Sequence, residues 1–327
     1  MKFDKPFKLQ PVLKEKIWGG RKLETILGKK LPPGKYGESW EASTHPNGTN
    51  LIISGELQGL PLDKAIEKYP KELLGKAVIA QGHTTLPVLI KFIDATDKLS
   101  VQVHPDDQYA LKHENDRGKT EMWYILHAEE KAQLIYGLKE GTTREKLKEA
   151  IDNNAIEEHL RYVNIKKGDL LFVPAGTVHA ILGGVLILEI QESSDSTYRL
   201  YDWNRVGFDG KPRPLHIEKA LEVINYNAKN NVTKPIKEKR GYGYFSNLVR
   251  CSYFNTDLYL LKNAFQLRKE EKQSFEILIT IKGELTMEFP GGNYKIKKGE
   301  TIFIPPGCKN IYLEPQVESE CVSVFLD

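Results

Sequence analysis

Four side chains, Gln102, His104, Glu121 and His179, have the types and spacing to hold one divalent cation. His179 ends a run from Gly168 of the form G-x-x-x-x-x-P-x-G-x-x-H, in which a tight Pro174-Ala175-Gly176 turn delivers a histidine to the next strand. In Gln102-Val103-His104 the first and third residues share one face of an extended segment, with Val101 and Val103 on the other. Glu121 opens a later β-rich run and shares its face with Trp123 and Ile125. Two imidazoles, a carboxylate and an amide oxygen leave positions for water or substrate, the composition of an open catalytic site; Zn²⁺ is expected, and mixed N/O ligands also suit Mn²⁺, Co²⁺ or Fe²⁺. Cations stand nearby in the sequence. Lys119 is two residues from Glu121, and Lys91 interrupts the apolar run Leu89 to Ile93, where an inward ammonium needs an anionic partner, either a substrate phosphate or a buried carboxylate. Glu189 and Gln191 lie on one face of a strand, opposite Leu188 and Ile190, which makes Glu189 a candidate base beside the substrate. Trp18 is a candidate pocket wall or a core residue, and Trp40 reads as core. The remaining histidines, His45, His83, His113, His127, His159 and His216, have no partner pattern and read as surface or packing residues.

The elements that must position these groups are announced by an internal repeat. Residues 165–176 read IKKGDLLFVPAG and residues 296–307 read IKKGETIFIPPG, a separation of 131 residues. Each copy is a Lys-Lys-Gly turn, a short apolar strand and a Pro-x-Gly turn, the punctuation of antiparallel β structure. In the second copy the position equivalent to His179 is Asn310, so metal binding is expected in the first half alone. Short β-rich runs flank both copies: 86–94, 99–104, 121–126, 132–136 and 185–191, then 259–261, 274–281, 284–289 and 321–325. The pattern predicts a mainly β protein of barrels or sandwiches. Helical periodicity appears at Leu147, Ala150 and Ile151, continuing to Ile156 and Leu160, and at Ile217, Ala220, Leu221 and Ile224, both read as insertions outside the barrels. The polar stretch 225–243 is the expected linker, giving a catalytic half over 1–240 and a metal-free half over 241–327.

Composition narrows the function classes. The 327 residues carry 47 Lys+Arg against 44 Asp+Glu, a net charge of +3 that is too small and too scattered for a nucleic-acid surface. No apolar stretch approaches the roughly 18 residues of a membrane span, and the N-terminus lacks the apolar core of a secretory signal, so a cytoplasmic location is expected. Cys251, Cys308 and Cys321 are odd in number and widely spaced, and read as reduced, mostly buried thiols. The partner expected is a small anionic molecule. No residue pattern specifies a subunit count.

The chain resembles the type I mannose-6-phosphate isomerases, in their short bacterial form, over nearly its whole length. The likeness is carried by Ile17-Trp18-Gly19-Gly20, Gly37-Glu38-Ser39-Trp40-Glu41, the run Ser100 to Asp107, the run Gly118 to Trp123, the Pro174 to His179 turn and the run Ser194 to Arg199. The resemblance implies two cupin-type (jelly-roll) β-barrels and a metal-dependent enzyme, usually with zinc, that interconverts mannose 6-phosphate and fructose 6-phosphate through a cis-enediol. It also implies metal ligands at Gln102, His104, Glu121 and His179, the set already reached from strand periodicity, and an active-site arginine at Arg199. Charge building on the C1 and C2 oxygens calls for a Lewis acid and a nearby guanidinium, here the metal and Arg199, which could alternatively hold the phosphate, while Lys119 is a candidate to bind phosphate or assist proton transfer. The chain departs from the longer forms at Gly118-Lys119-Thr120-Glu121, where they have His-Lys-Pro-Glu, and at Leu200 to Trp203, where they carry Gly-Leu-Thr-Pro-Lys. Two rival readings use the same residues. An Fe²⁺ oxygenase or a sugar epimerase would differ in reaction, and a non-catalytic paralogue would bind sugar phosphate without turnover.

Overall fold

The computed structural model describes residues 3–326 and is built mainly from antiparallel strands in two cupin-type units. In the first unit a six-stranded sheet runs in the order Leu170–Val173, Glu121–Ala128, Val185–Glu192, Val88–Ala95, Tyr36–Ala42, Val12–Gly20. It packs against a five-stranded sheet ordered Leu160–Asn164, Gln133–Leu138, His179–Ile181, Val101–Val103, Tyr198–Tyr201. Ile93, Trp123, Ile187, Leu134 and Ile181 fill the space between these two sheets. The second unit pairs an eight-stranded sheet with a four-stranded one, around Leu278, Met287, Ile302 and Leu313.

The central strands of the six-stranded sheet are buried on both faces, and period two sorts their side chains. Val88, Ile90 and Phe92, with Met122, Leu188 and Ile190, turn outward into an apolar core shared with Ile277, Phe303, Val322 and Val324 of the second unit. The alternate residues, including Lys91, Trp123 and Glu189, turn into the first unit, which is how polar groups come to lie inside a β-rich chain. On the five-stranded sheet, Val101 and Val103 point away from the interior, as period two predicts, and are covered by Leu147, Ala220 and Leu221 of two helices.

The repeat is real in three dimensions. Leu170–Val173 and Thr301–Ile304 are both strands, and each follows a glycine, Gly168 or Gly299, with φ of 86°. A side chain disfavours that left-handed conformation, which accounts for Lys-Lys-Gly in both copies.

The structure differs from the sequence reading in three places. The helix read from Leu147 toward Leu160 ends at Asp152; Asn154 has φ of 56°, a 3₁₀ turn spans Ile156–His159, and Leu160 opens a strand. The stretch 225–243 is not wholly a linker: Glu238–Arg240 pairs with Gly243–Arg250, and Thr233 is hydrogen-bonded in both directions to Leu170. The strand Phe7–Gln10, expected in the first unit, pairs with Thr301–Ile304 of the second. Three short helices, Leu62–Lys68, Pro70–Leu74 and Lys76–Ala80, add Ile66, Leu73 and Val78 to the shared core. No helix among the described residues is long and apolar enough to cross a membrane. The cysteines are free thiols, two of them buried.

Candidate active site

Strand register brings the four expected metal ligands together. His179 sits directly opposite Gln102 in the five-stranded sheet, and Glu121 begins the strand beside Leu170–Val173 in the facing sheet. His104 follows Gln102 by two and so stays on its face; its carbonyl accepts a hydrogen bond of 2.8 Å from Gly176, which ties the His104 end of that strand to the turn that launches His179. His104, Glu121 and His179 are all buried, and one ligand atom from each lies within 4.8 Å of the others.

Hydrogen bonding and burial set the protonation of this cluster. His104 Nδ1 donates to the Ser196 carbonyl at 2.8 Å, and His179 Nδ1 donates to the Thr177 carbonyl at 2.9 Å. Those bonds place the ring proton on Nδ1 and leave an Nε2 lone pair facing inward on each histidine. Burial, with Lys119 next in effect, holds His104 well below its ordinary pKa, and burial pushes His179 down to about 3, so both rings are neutral. Their Nε2 atoms face Glu121 at 3.7 and 3.4 Å. With neutral rings these contacts are not ion pairs. His104 Nε2 and both Glu121 carboxylate oxygens are buried with no hydrogen-bond partner among the described residues. Lone pairs converging in a buried space are costly, and a cation between them relieves that cost. Burial, then the negative charge of Glu189, pushes Glu121 up to about 8 in the ion-free chain, against the pull of Lys119 and Lys91. Gln102 approaches His179 Nε2 at 3.2 Å through its amide. A half-turn of that amide exchanges nitrogen for oxygen and makes it a fourth donor. The donor set of two imidazoles, a carboxylate and an amide suits a divalent ion.

The sequence also explains what holds the ligands. The Ser196 carbonyl that orients His104 belongs to the loop 194–197, and Asp116 accepts from Ser194 Oγ at 2.8 Å and from Ser196 Oγ at 2.7 Å. Trp123 sits edge-on to His179, with ring centroids 5.2 Å apart, and donates its indole N–H to Glu189 at 2.9 Å.

Beside the ligands opens a cavity of about 310 Å³, and every site residue expected outside the metal set, Lys91, Lys119, Trp18, Glu189 and Arg199, lines it together with Gln102. Lys119 Nζ is buried 3.6 Å from Glu121. Lys91 meets Glu189 at 3.4 Å and lies over the Trp40 ring at 5.2 Å, so its anionic partner is a protein carboxylate. Burial lowers the Lys91 pKa, but Glu189, Glu38 and Asp195 more than offset this and raise it. Trp18 is both core and wall. Its ring lies over Gly37, where a Cβ would come within 2.5 Å of it, which is why a glycine faces this tryptophan. Arg199 is directly opposite Gln102 in register; its Nη1 donates to the Pro214 carbonyl at 2.8 Å and its buried Nε has no partner. Among the residues expected to be bystanders, His216 accepts from the Arg199 N–H at 3.2 Å, and His45 accepts from the Asn47 N–H at 3.2 Å.

Glu38, Asp195 and Arg213 also line the cavity and were not singled out from sequence. Glu38 and Asp195 fall inside the runs that carry the family likeness; Arg213 lies in a loop with no periodicity to mark it.

The comparisons with known proteins agree with this geometry. Residues 6–119 match the family described as phosphomannose isomerase type I, catalytic domain, and residues 245–324 match the mannose-6-phosphate isomerase cupin domain. A mannose-6-phosphate isomerase of Bacillus subtilis is 38% identical over 96% of this chain and 97% of its own length. The chain belongs to the type I phosphomannose isomerase family. A second relative in that family, the mannose-6-phosphate isomerase of Streptococcus mutans, is 34% identical and covers 96% of both chains. The crystal structure of the mannose 6-phosphate isomerase from Bacillus subtilis superposes with a TM-score of 0.89 at 31% identity, covering 98% of this chain and 99% of that one. A putative mannosephosphate isomerase from Archaeoglobus fulgidus, at 21% identity and a TM-score of 0.77, shares the fold.

In the second unit the same register holds a different solution. Glu121 is paired with Val173, and 131 residues after Val173 stands Ile304, paired with Glu276. Glu276 thus occupies the counterpart position of Glu121. Its carboxylate meets the buried guanidinium of Arg268 at 3.0 Å and Lys272 at 3.3 Å, and accepts from Ser323 at 2.6 Å. A side-chain cation faces the glutamate that, in the first unit, faces two imidazole lone pairs.

Proposed function

We propose that this protein is a metal-dependent aldose-ketose isomerase that interconverts mannose 6-phosphate and fructose 6-phosphate through a cis-enediol. The observation that carries the reading is the convergence of His104 Nε2, His179 Nε2 and the Glu121 carboxylate, all buried, at the wall of a cation-lined cavity, the His104 and Glu121 atoms having no hydrogen-bond partner among the described residues. Gln102, His104, Glu121 and His179 would hold one divalent ion, with Zn²⁺ the expected one, and such an ion supplies Lewis-acid stabilisation of the charge that develops on the C1 and C2 oxygens. Isomerisation also requires a proton to leave C2 and return to C1. Lys119 and Glu189 are the residues proposed to handle it, Lys119 because its ammonium lies against the metal ligands, Glu189 because its carboxylate faces the same cavity. Lys91 and the Trp123 indole hold Glu189 in place from two directions. The unpaired N–H of Arg199 offers a donor to an oxygen of the substrate, and Trp18 packs against the sugar. Free thiols fit a reducing compartment, in keeping with a cytoplasmic enzyme.

The test is a coupled assay reporting fructose 6-phosphate from mannose 6-phosphate, run on protein as purified, after chelation, and after restoring Zn²⁺. Turnover should disappear on chelation and return with the ion. Metal-loaded, folded protein that forms no fructose 6-phosphate would remove the isomerase reading.

A further inference from the structure

The charges around the cavity fall into two neighbourhoods with different balances. Lys91 interacts chiefly with Glu189, Glu38 and Asp195, and Lys16 pairs with Glu38 at 3.2 Å. These lysines are matched by carboxylates. Arg199 instead has Arg213, Arg205 and Asp202 as its charged neighbours. There, three guanidiniums share essentially one carboxylate, because Asp97, the other acid in reach, meets Arg205 only at 3.9 Å and is itself mostly exposed.

Asp202 acts as a splint. Its Oδ1 accepts from Arg205 Nε at 3.1 Å and Nη2 at 3.0 Å, while Arg213 donates Nε to Oδ2 at 2.8 Å and Nη2 to Oδ1 at 2.6 Å. Arg205 is further anchored to the Lys98 carbonyl. Arg213 has no such second anchor among the described residues: Asp202 holds its Nε and Nη2, and the side chain lines the cavity. The next residue, Pro214, gives its carbonyl to Arg199 Nη1, so one short loop fixes both arginines while leaving Arg199 Nε unpartnered.

We infer that Arg213, aligned by Asp202 and acting with Arg199, forms the phosphate-recognition end of the cavity, distinct from the Lys91 end. A dianionic phosphate needs uncompensated positive charge and planar N–H donors, and only the arginine neighbourhood supplies both. Arg199, opposite Gln102 in register, then stands between the phosphate and the metal ligands. Lys91, which the sequence offered as a phosphate partner, is already matched. Arg213 is a specificity-determining residue and Asp202 a positioning residue, and the assignment of phosphate to a sugar substrate rests on the proposed isomerase function.

The test uses the metal-loaded full chain and the variants Arg213→Gln, Arg213→Lys and Asp202→Asn, with inorganic phosphate as the binding probe. Losing one charge-assisted contact to phosphate should raise KM for mannose 6-phosphate and weaken phosphate binding in calorimetry by about 10- to 100-fold in Arg213→Gln. The same variant should keep its metal content, and its kcat should stay within a few-fold. Arg213→Lys should lose less, and Asp202→Asn should raise KM with kcat largely kept, a split that a general loss of folding would not give. The inference is overturned if folded Arg213→Gln binds phosphate as the parent does, or if its kcat falls with KM unchanged. Should the parent protein bind phosphate through Arg213 but turn over no mannose 6-phosphate, the isomerase reading fails while the phosphate site stands.

Discussion

His104 and His179 each commit one ring nitrogen to a backbone carbonyl, and it is this second partner, as much as the histidine itself, that leaves the other nitrogen available as a ligand. The convergence of these residues was legible in the sequence because period two is rigid: Gln102 and His104 had to share a face, and Glu121 had to share one with Trp123. Their carbonyl partners were not legible, since Ser196 and Thr177 act through the backbone and any residue offers the same group. Nor was Arg213, whose place depends on how Asp202 folds its loop back. Lys119 is the cation that lies against the ligands, buried and within 3.6 Å of Glu121. Replacing it with Met, which keeps the stem and removes the charge, should lower kcat by about 100- to 10,000-fold if it handles the proton. Bound metal should remain. Steady-state kinetics paired with metal analysis checks this, and an unchanged kcat would pass the role to another group.

At the scale of elements, the two copies of the Lys-Lys-Gly, strand, Pro-x-Gly unit have kept their register and exchanged their chemistry. The repeat was visible because the turn requires glycine at φ of 86° in both copies. The counterpart of Glu121 was hidden, because Glu276 is recognisable only from its pairing with Ile304. The three helices between Leu62 and Ala80 were missed for a local reason: Pro70 and Gly75 divide them into pieces too short to show a helical period. Arg268 and Glu276 are both almost wholly buried, so removing one partner strands the other's charge. Arg268→Met should therefore destabilise the chain by about 3 kcal/mol in urea denaturation, Lys272 and Ser323 softening the loss. Adding Glu276→Gln should recover much of it. A single variant as stable as the parent would mean that Lys272 alone satisfies Glu276.

Across the whole molecule, the largest apolar core lies between the two units, joining Phe92 and Ile190 of one to Phe303 and Val324 of the other. Strand Phe7–Gln10 crosses the same boundary to pair with Thr301–Ile304. That pairing joins residues from opposite ends of the chain and leaves no local signal, which is why it was not legible in the sequence while the mainly β class and the two-unit plan were plain; the same strand also pairs with Leu51–Ile52. A scaffold fixed from both ends suits a site whose ligands must be held apart from water and from one another until a cation joins them. The proposed chemistry requires one such cation per chain, carried by the first unit. The most direct measurement is elemental analysis of the purified, zinc-reconstituted protein alongside Glu121→Gln and His179→Ala, each variant shown to be folded by circular dichroism. One ion per chain in the parent and a large loss in both variants is the predicted result; a parent that binds none, or variants that retain the full complement, would contradict it.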